Sequence, residues 1–234
     1  MPFTSRALSF FRQLARHNEK SWFEAHRDEY EAEVREPMRE LIEDLDTRLA
    51  QFAPEIGGDT KRSMFRIYRD IRFSKDKSPY KTHAACWFSH RNASQSVGSE
   101  ADAGSAGYYF HLQPGGKSVV GAGIWMPPRS QLKKLRDSIA ADPRGFDRMV
   151  RSIPPRFDGL DDEAMLKRMP RGYAEDHPAA KWLRYQSFTS GRSLTDKEVT
   201  SASLTDFVAS EFKALLPLVR WLNGALGFQP ASRR

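Results

Sequence analysis

Only one of the 234 residues is cysteine, which excludes a disulfide-stapled scaffold and leaves folding to the apolar core. That residue, Cys86, stands in the run Ala84-Ala85-Cys86-Trp87-Phe88. A thiol there packs as a small hydrophobe, with no adjacent helix start to activate it. No apolar stretch approaches the roughly 20 residues of a bilayer span. The N-terminus lacks an apolar segment followed by a small-residue cleavage site, so we expect a soluble cytoplasmic protein without a membrane partner. A dinucleotide fingerprint is also missing. Gly121-Ala122-Gly123 has neither the third glycine nor the strand-to-helix turn, and we read it as a place of close backbone packing, with no cofactor. His83, His111, Asp176 and His177 show no HxH or HExxH spacing, and no metal is expected.

What is present is enough for a core: 39% of the residues are hydrophobic, and a compact chain of this length buries roughly 70% of its unfolded surface. We expect a single α+β domain over residues 1–234. Leu8, Phe11, Leu14 and Ala15 share one face of a first helix capped by Thr4 or Ser5. The run Arg6–Arg16 is free of acids and superficially like a transit peptide, but this apolar face explains it as a core helix. Trp22, His26, Tyr30, Val34, Met38, Leu41, Leu45 and Leu49 recur at helical spacing behind Ser21 and Glu24, the two ends of a capping box. Pro37 predicts a kink or a break. His26 reads as a core histidine.

Beyond Gly57-Gly58 the period falls to two. Phe65, Ile67, Ile71 and Phe73 alternate with Arg66, Tyr68, Asp70 and Arg72, the pattern of a half-buried strand. Arg69 breaks it, which implies a bulge or a buried carboxylate partner. Lys81–His90 reads as the returning strand of a first hairpin. A second is expected from Gly107–Gln113 and Lys117–Met126 around Pro114-Gly115-Gly116. Between the hairpins, residues 92–106 read as a mobile loop. Helices follow after Pro127-Pro128 and from Asp142-Pro143, and one long helix runs from Thr205 to Ala225. The predicted fold is thus α+β, a mostly antiparallel sheet of two hairpins flanked by N-terminal and C-terminal helices.

The net charge is +7, and most of it lies between Lys61 and Lys81. Lys61, Arg62, Arg66, Arg69, Arg72, Lys75, Lys77 and Lys81 face only Asp70 and Asp76. Arginine forks bond two oxygens of an oxyanion at once, while lysine adds a mobile point charge. We take Arg66, Arg69, Arg72, Lys75, Lys77, Tyr80 and Lys81 as ligand-binding candidates. Tyr68, Asp70 and His177 are candidates for proton transfer, and Asp70 is also expected to hold neighbouring arginines in place. A decorated edge strand is the plain alternative.

The run from Arg66 to Thr82, RIYRDIRFSKDKSPYKT, resembles the signature of the conserved hypothetical proteins grouped as DUF2461, a domain of unknown function. Gly107–Leu112, Gly121–Pro127 and Arg168–Tyr173 followed by Asp176-His177-Pro178 are similar to the same family. With the Trp22-Phe23 helix the resemblance covers about residues 8–226. It implies no activity and no catalytic residues. The Arg168–Pro178 segment adds Arg171 to the ligand-binding candidates, in a turn-rich surface loop. Asp176 there also reads as the N-cap of a helix starting near Pro178.

Three functional classes stay open. One is a module or enzyme binding a small phosphorylated or carboxylated ligand. Another is a nucleic-acid-binding protein using the same cations, with Tyr68, Phe73 and Tyr80 as stacking surfaces. The last is a scaffold whose cations pair internally with acids such as Glu31, Glu40 or Glu43. A nuclease reading of Asp70, Asp76 and Lys77 fits its spacing only loosely. Oligomeric state is not legible.

Overall fold

A computed structural model of the chain describes residues 3–72, 76–93 and 104–231. Helix α1 (Ser5–Arg16) begins at Thr4, whose hydroxyl accepts a hydrogen bond from the Arg6 N–H (3.1 Å), and it buries Leu8, Phe10, Phe11 and Leu14. The next apolar stripe is divided into α2 (Lys20–Ala25), α3 (Arg27–Tyr30), a π-helical turn (Glu31–Arg35) and α4 (Glu36–Phe52). The expected capping box does not form. The helix starts before Ser21, no side chain caps it, and Glu24 instead pairs with Arg27 (2.7 Å). Pro37 stands at the start of α4. It has no N–H for the preceding turn, and the backbone widens to a π turn just before it. His26 stacks on Trp22 at 4.0 Å and bonds the Trp22 carbonyl through Nδ1 (2.8 Å).

Five antiparallel strands follow in the order β1 (Ile56–Gly57), β2 (Ala84–His90), β3 (Gly107–Leu112), β4 (Ser118–Ile124) and β5 (Phe188–Leu194). The α+β expectation holds. β3 and β4 form the predicted hairpin, its turn carrying Gly115 and Gly116 at φ +80° and +70°, values that glycine adopts without steric cost. Both turn N–H groups donate to Asp196. A Cβ on Gly121 would lie 2.9 Å from the Ser190 carbonyl oxygen, so close strand packing accounts for that glycine run. The sequence pattern missed β5.

One reading needs correction. Residues 65–72 form no regular strand. Around it the chain meets β2 at one isolated bridge, Met64↔Cys86, and the chain before β2 at another, Tyr68↔Tyr80. Between the bonds Phe65 N–H to Ala85 O (2.9 Å) and Lys81 N–H to Ile67 O (2.8 Å), residues 82–84 oppose Arg66 alone. That three-against-one bulge breaks the ladder while keeping the segment at the sheet edge. Of the predicted mobile loop, residues 94–103 lie outside the described residues, as do Phe73 and Lys75. Its end is pinned, since the Asn223 side chain bonds both the N–H (2.9 Å) and the carbonyl (3.2 Å) of Ala106.

Alternation along the strands separates two faces. Cys86, Phe88, Tyr108, Phe110, Leu112 and Val120 are buried on the side of α9 (Leu204–Ala214) and α10 (Leu216–Leu226). Phe212 of α9 stacks on Tyr108 at 4.6 Å and meets Phe88 edge-on at 5.7 Å. The single long C-terminal helix of the sequence reading is these two, since Pro217 starts a new helix. Helix α5 (Arg129–Ala141) and α6 (Pro143–Arg151) pack beside them, with Asp142 capping α6 through Gly145 N–H (2.8 Å). The elements are completed by α7 (Ala180–Leu183) and α8 (Asp196–Val199). On the other face Trp87, Tyr109 and His111 are only partly covered.

Candidate functional site

The bulge at residues 82–84 decides what the cationic segment presents. Lys81 lies opposite Ile67 and places its ammonium 5.4 Å from the centre of the Phe65 ring. Phe65 in turn meets Tyr109 at 6.2 Å, and the His83 ring lies tilted against His111 at 5.2 Å. A continuous row of Lys81, Phe65, Tyr109, His111 and His83 therefore lines the less covered face of the sheet. Burial and the nearby guanidinium groups of Arg66 and Arg69 lower the proton affinity of Lys81. His83 is pushed down to about 4 by burial, by His111 and by the cations Lys81 and Arg69, so it is neutral at pH 7.

The predicted residues divide into engaged and unengaged groups. Arg72 grips Asp70 with two nitrogens (2.7 and 3.0 Å). Hydrogen bonds from the Arg72 side chain and N–H hold the Asp70 carboxyl far below the usual range, so Asp70 is a positioning group and a poor proton carrier at neutral pH. It is exposed. Arg69, the residue that broke the alternation, is half-buried between Asp76 (3.1 Å) and the Tyr80 carbonyl (3.3 Å), while its buried Nε has no partner. Lys77 bends back onto the Ile71 carbonyl (2.8 Å). Arg66 is exposed and has no hydrogen bond or ion pair among the described residues. Lys75 lies outside them. Glu31 is paired with Arg35 within its own helical run (2.8 Å), while Arg69 and Arg72 of the basic segment pair with Asp76 and Asp70.

The two tyrosines separate. Tyr80 is only 1% exposed and stacks on Phe23 at 4.2 Å, its backbone clamped at both N–H and carbonyl by the Asn18 side chain (3.0 Å each). It is a core residue whose ring no surface ligand can reach. Tyr68 is 47% exposed and lies near Arg27, a guanidinium whose proton affinity rises through Glu24 first and Tyr68 second.

The second family-like segment is tied elsewhere. Tyr173 donates to Asp137 of α5 (2.7 Å). His177 Nδ1 accepts the Ala179 N–H (3.0 Å) at the start of α7, a turn-closing role that the sequence reading gave to Asp176. Arg171 is exposed. Among the described residues no hydrogen bond, ion pair or ring contact joins this segment to Arg66–Lys81, and no three His, Cys, Asp or Glu side chains gather as a metal site. Sequence reasoning named His83 only as a metal candidate. The signal for its present place was its spacing of two from Lys81 on a strand approach. A cleft of about 310 Å³ flanks Thr82 in the same bulge and is bordered by Arg12, Arg16 and Lys117.

Elsewhere three partly covered arginines meet buried carboxylates: Arg220 pairs with Glu55 (2.7 Å), and Arg156 and Arg192 share Glu211 (2.9 and 3.4 Å). Arg66 and Lys81 have no such match. These features define an α+β protein whose antiparallel sheet is packed by helices on one face and carries an under-compensated cationic cluster beside the other. The chain belongs to the family described as conserved hypothetical protein (DUF2461), whose model matches residues 6–221. No curated protein and no solved structure matches it. No helix among the described residues is long and apolar enough to cross a membrane.

Proposed function

We propose that the protein binds a small phosphorylated or carboxylated ligand through Arg66, Arg69 and Lys81, with Arg72 and Lys77 at the margin. The carrying observation is the grouping of these first three cations at one bulge, with Asp76 on Arg69 as their one direct carboxylate partner among the described residues. Like charges held together and partly desolvated disfavour one another, and a bound oxyanion reverses that sign. Arg171 belongs to this reading only if the ligand reaches the second segment. The lone buried thiol of Cys86 fits a reducing, cytoplasmic setting.

The nucleic-acid reading uses the same charges but loses Tyr80 as a stacking surface. The internally paired scaffold accounts for Arg72 and much of Arg69, and leaves Arg66 and Lys81. Calorimetric titration with a panel of phosphate monoesters and dicarboxylates, beside single-stranded oligonucleotides at several salt concentrations, tests the choice. We expect saturation at one small ligand per chain, with affinity falling at least about tenfold in Arg66→Ala and in Lys81→Met, a loss typical of one charged hydrogen bond. Oligonucleotide binding that weakens steeply with salt, with no small ligand bound, would overturn the proposal.

A further inference from the structure

His83 and His111 meet ring to ring at 5.2 Å, tilted, but their nitrogens are used differently. His111 Nε2 lies 2.7 Å from the Lys117 carbonyl, an acceptor, so Nε2 carries the proton and donates. Its Nδ1 is then the lone-pair nitrogen that receives the Tyr109 hydroxyl (3.1 Å), and both ring nitrogens are engaged. His83 has no hydrogen-bond partner for either nitrogen among the described residues; the residue is half-buried, and its ring nitrogens still reach solvent. The groups facing it are His111, with Tyr109 behind, from β3, Arg69 from the edge segment, and Lys81 from its own segment, with Arg66 beyond Lys81. No carboxylate is among them.

We propose that His83 is a further binding residue of the anion site and takes up a proton from solvent when a tetrahedral oxyanion seats against Lys81 and Arg66. This rests on the anion-binding reading above. Each of the facing cations opposes a further positive charge on His83, and burial does the same. An oxyanion changes both conditions, because it neutralises Lys81 and Arg66 and offers an acceptor to an imidazolium N–H. By linkage, an anion that makes His83 more basic must bind more tightly as the pH falls.

Sulfate is the appropriate probe, since it does not titrate in the relevant range and any proton taken up belongs to the protein. Its binding is measured by calorimetry on the full chain at about pH 5.5, in two buffers of different ionisation enthalpy, where a histidine of near-normal pKa is mostly charged. The expected result is an uptake of roughly one proton per sulfate, and an affinity about tenfold weaker at pH 8 than at pH 5.5. In His83→Gln, sulfate still binds, but the uptake falls near zero and the two pH values give similar affinities. The imidazole NMR titration of His83 in the native protein is a second readout, and its midpoint should rise by at least about two pH units with sulfate present. Sulfate binding without proton uptake, or with equal uptake in the variant, would overturn this inference alone. An absence of sulfate binding at both pH values would overturn the anion site itself.

Discussion

Along β2, Cys86 and Phe88 point to one side of the sheet while Ala85 and Trp87 point to the other, and the two sides meet different surroundings. The first is sealed by α9 and α10, and its rings interlock around Phe212. The second carries Trp87, Tyr109, His111 and His83, partly covered, beside Arg66 and Lys81, which have no ion pair among the described residues, and Arg69, which has Asp76 alone. Apolar burial makes the first face a source of stability. The second holds partly desolvated charge and a neutral histidine at a cost in stability, the pattern of a ligand site.

Substitutions on the two faces should therefore have opposite consequences. Phe212→Ala empties a fully buried ring position and should cost about 4 kcal/mol in denaturant unfolding, with little effect on anion affinity if the variant is studied while folded. A loss below about 1 kcal/mol would mean that the helices do not seal this face as described.

The pH dependence sharpens the contrast. His83 is held near 4 in the folded chain against about 6.5 when unfolded. The unfolded state then binds more protons in that window, so the stability present above about pH 6.5 is lost as the pH falls towards 4. His83→Gln should flatten this part of the native profile by roughly 2 kcal/mol. Superimposable profiles of native and variant would show that His83 is not desolvated. A smaller effect belongs to the cap of α6, where Asp142→Ala removes the bond to Gly145 N–H and should cost about 1 kcal/mol without altering ligand binding. Smallest is Asp70→Ala. Its pair with Arg72 is solvent-exposed on both sides, and exposed pairs add little, so the melting temperature should not move measurably; a clear drop would show that holding the arginines in place, as expected from sequence, matters to stability.

The part of the fold legible in the sequence is the part encoded locally. Thr4 caps α1, Asp142 and Pro143 open α6, and Pro114-Gly115-Gly116 turns β3 into β4, each through neighbours within a few residues. β5 escaped because Phe188–Leu194 breaks its alternation with Ser190, Gly191 and Arg192, residues whose places are set by pairing with β4. The edge segment misled for a related reason. Its own alternation, broken only at Arg69, reads as a strand, and the three-residue bulge that interrupts the ladder sits on the facing chain. In the site, exposure of Arg66, Tyr68, Asp70 and Arg72 followed the period of two. Tyr80 did not, because Asn18 and Phe23, some sixty residues away, draw it into the core. His83 was hidden by the same bulge, which sets it beside His111 and within reach of the charges on Lys81 and Arg69.

The most direct test is a crystal of the native protein soaked in selenate and measured at the selenium edge, with Arg66→Ala treated identically. An anomalous peak within hydrogen-bond distance, about 3 Å, of Arg66 and Lys81 in the native crystal, and its absence in the variant, is the predicted result. Selenate ordered elsewhere, with Arg66 and Lys81 bare, would contradict the account.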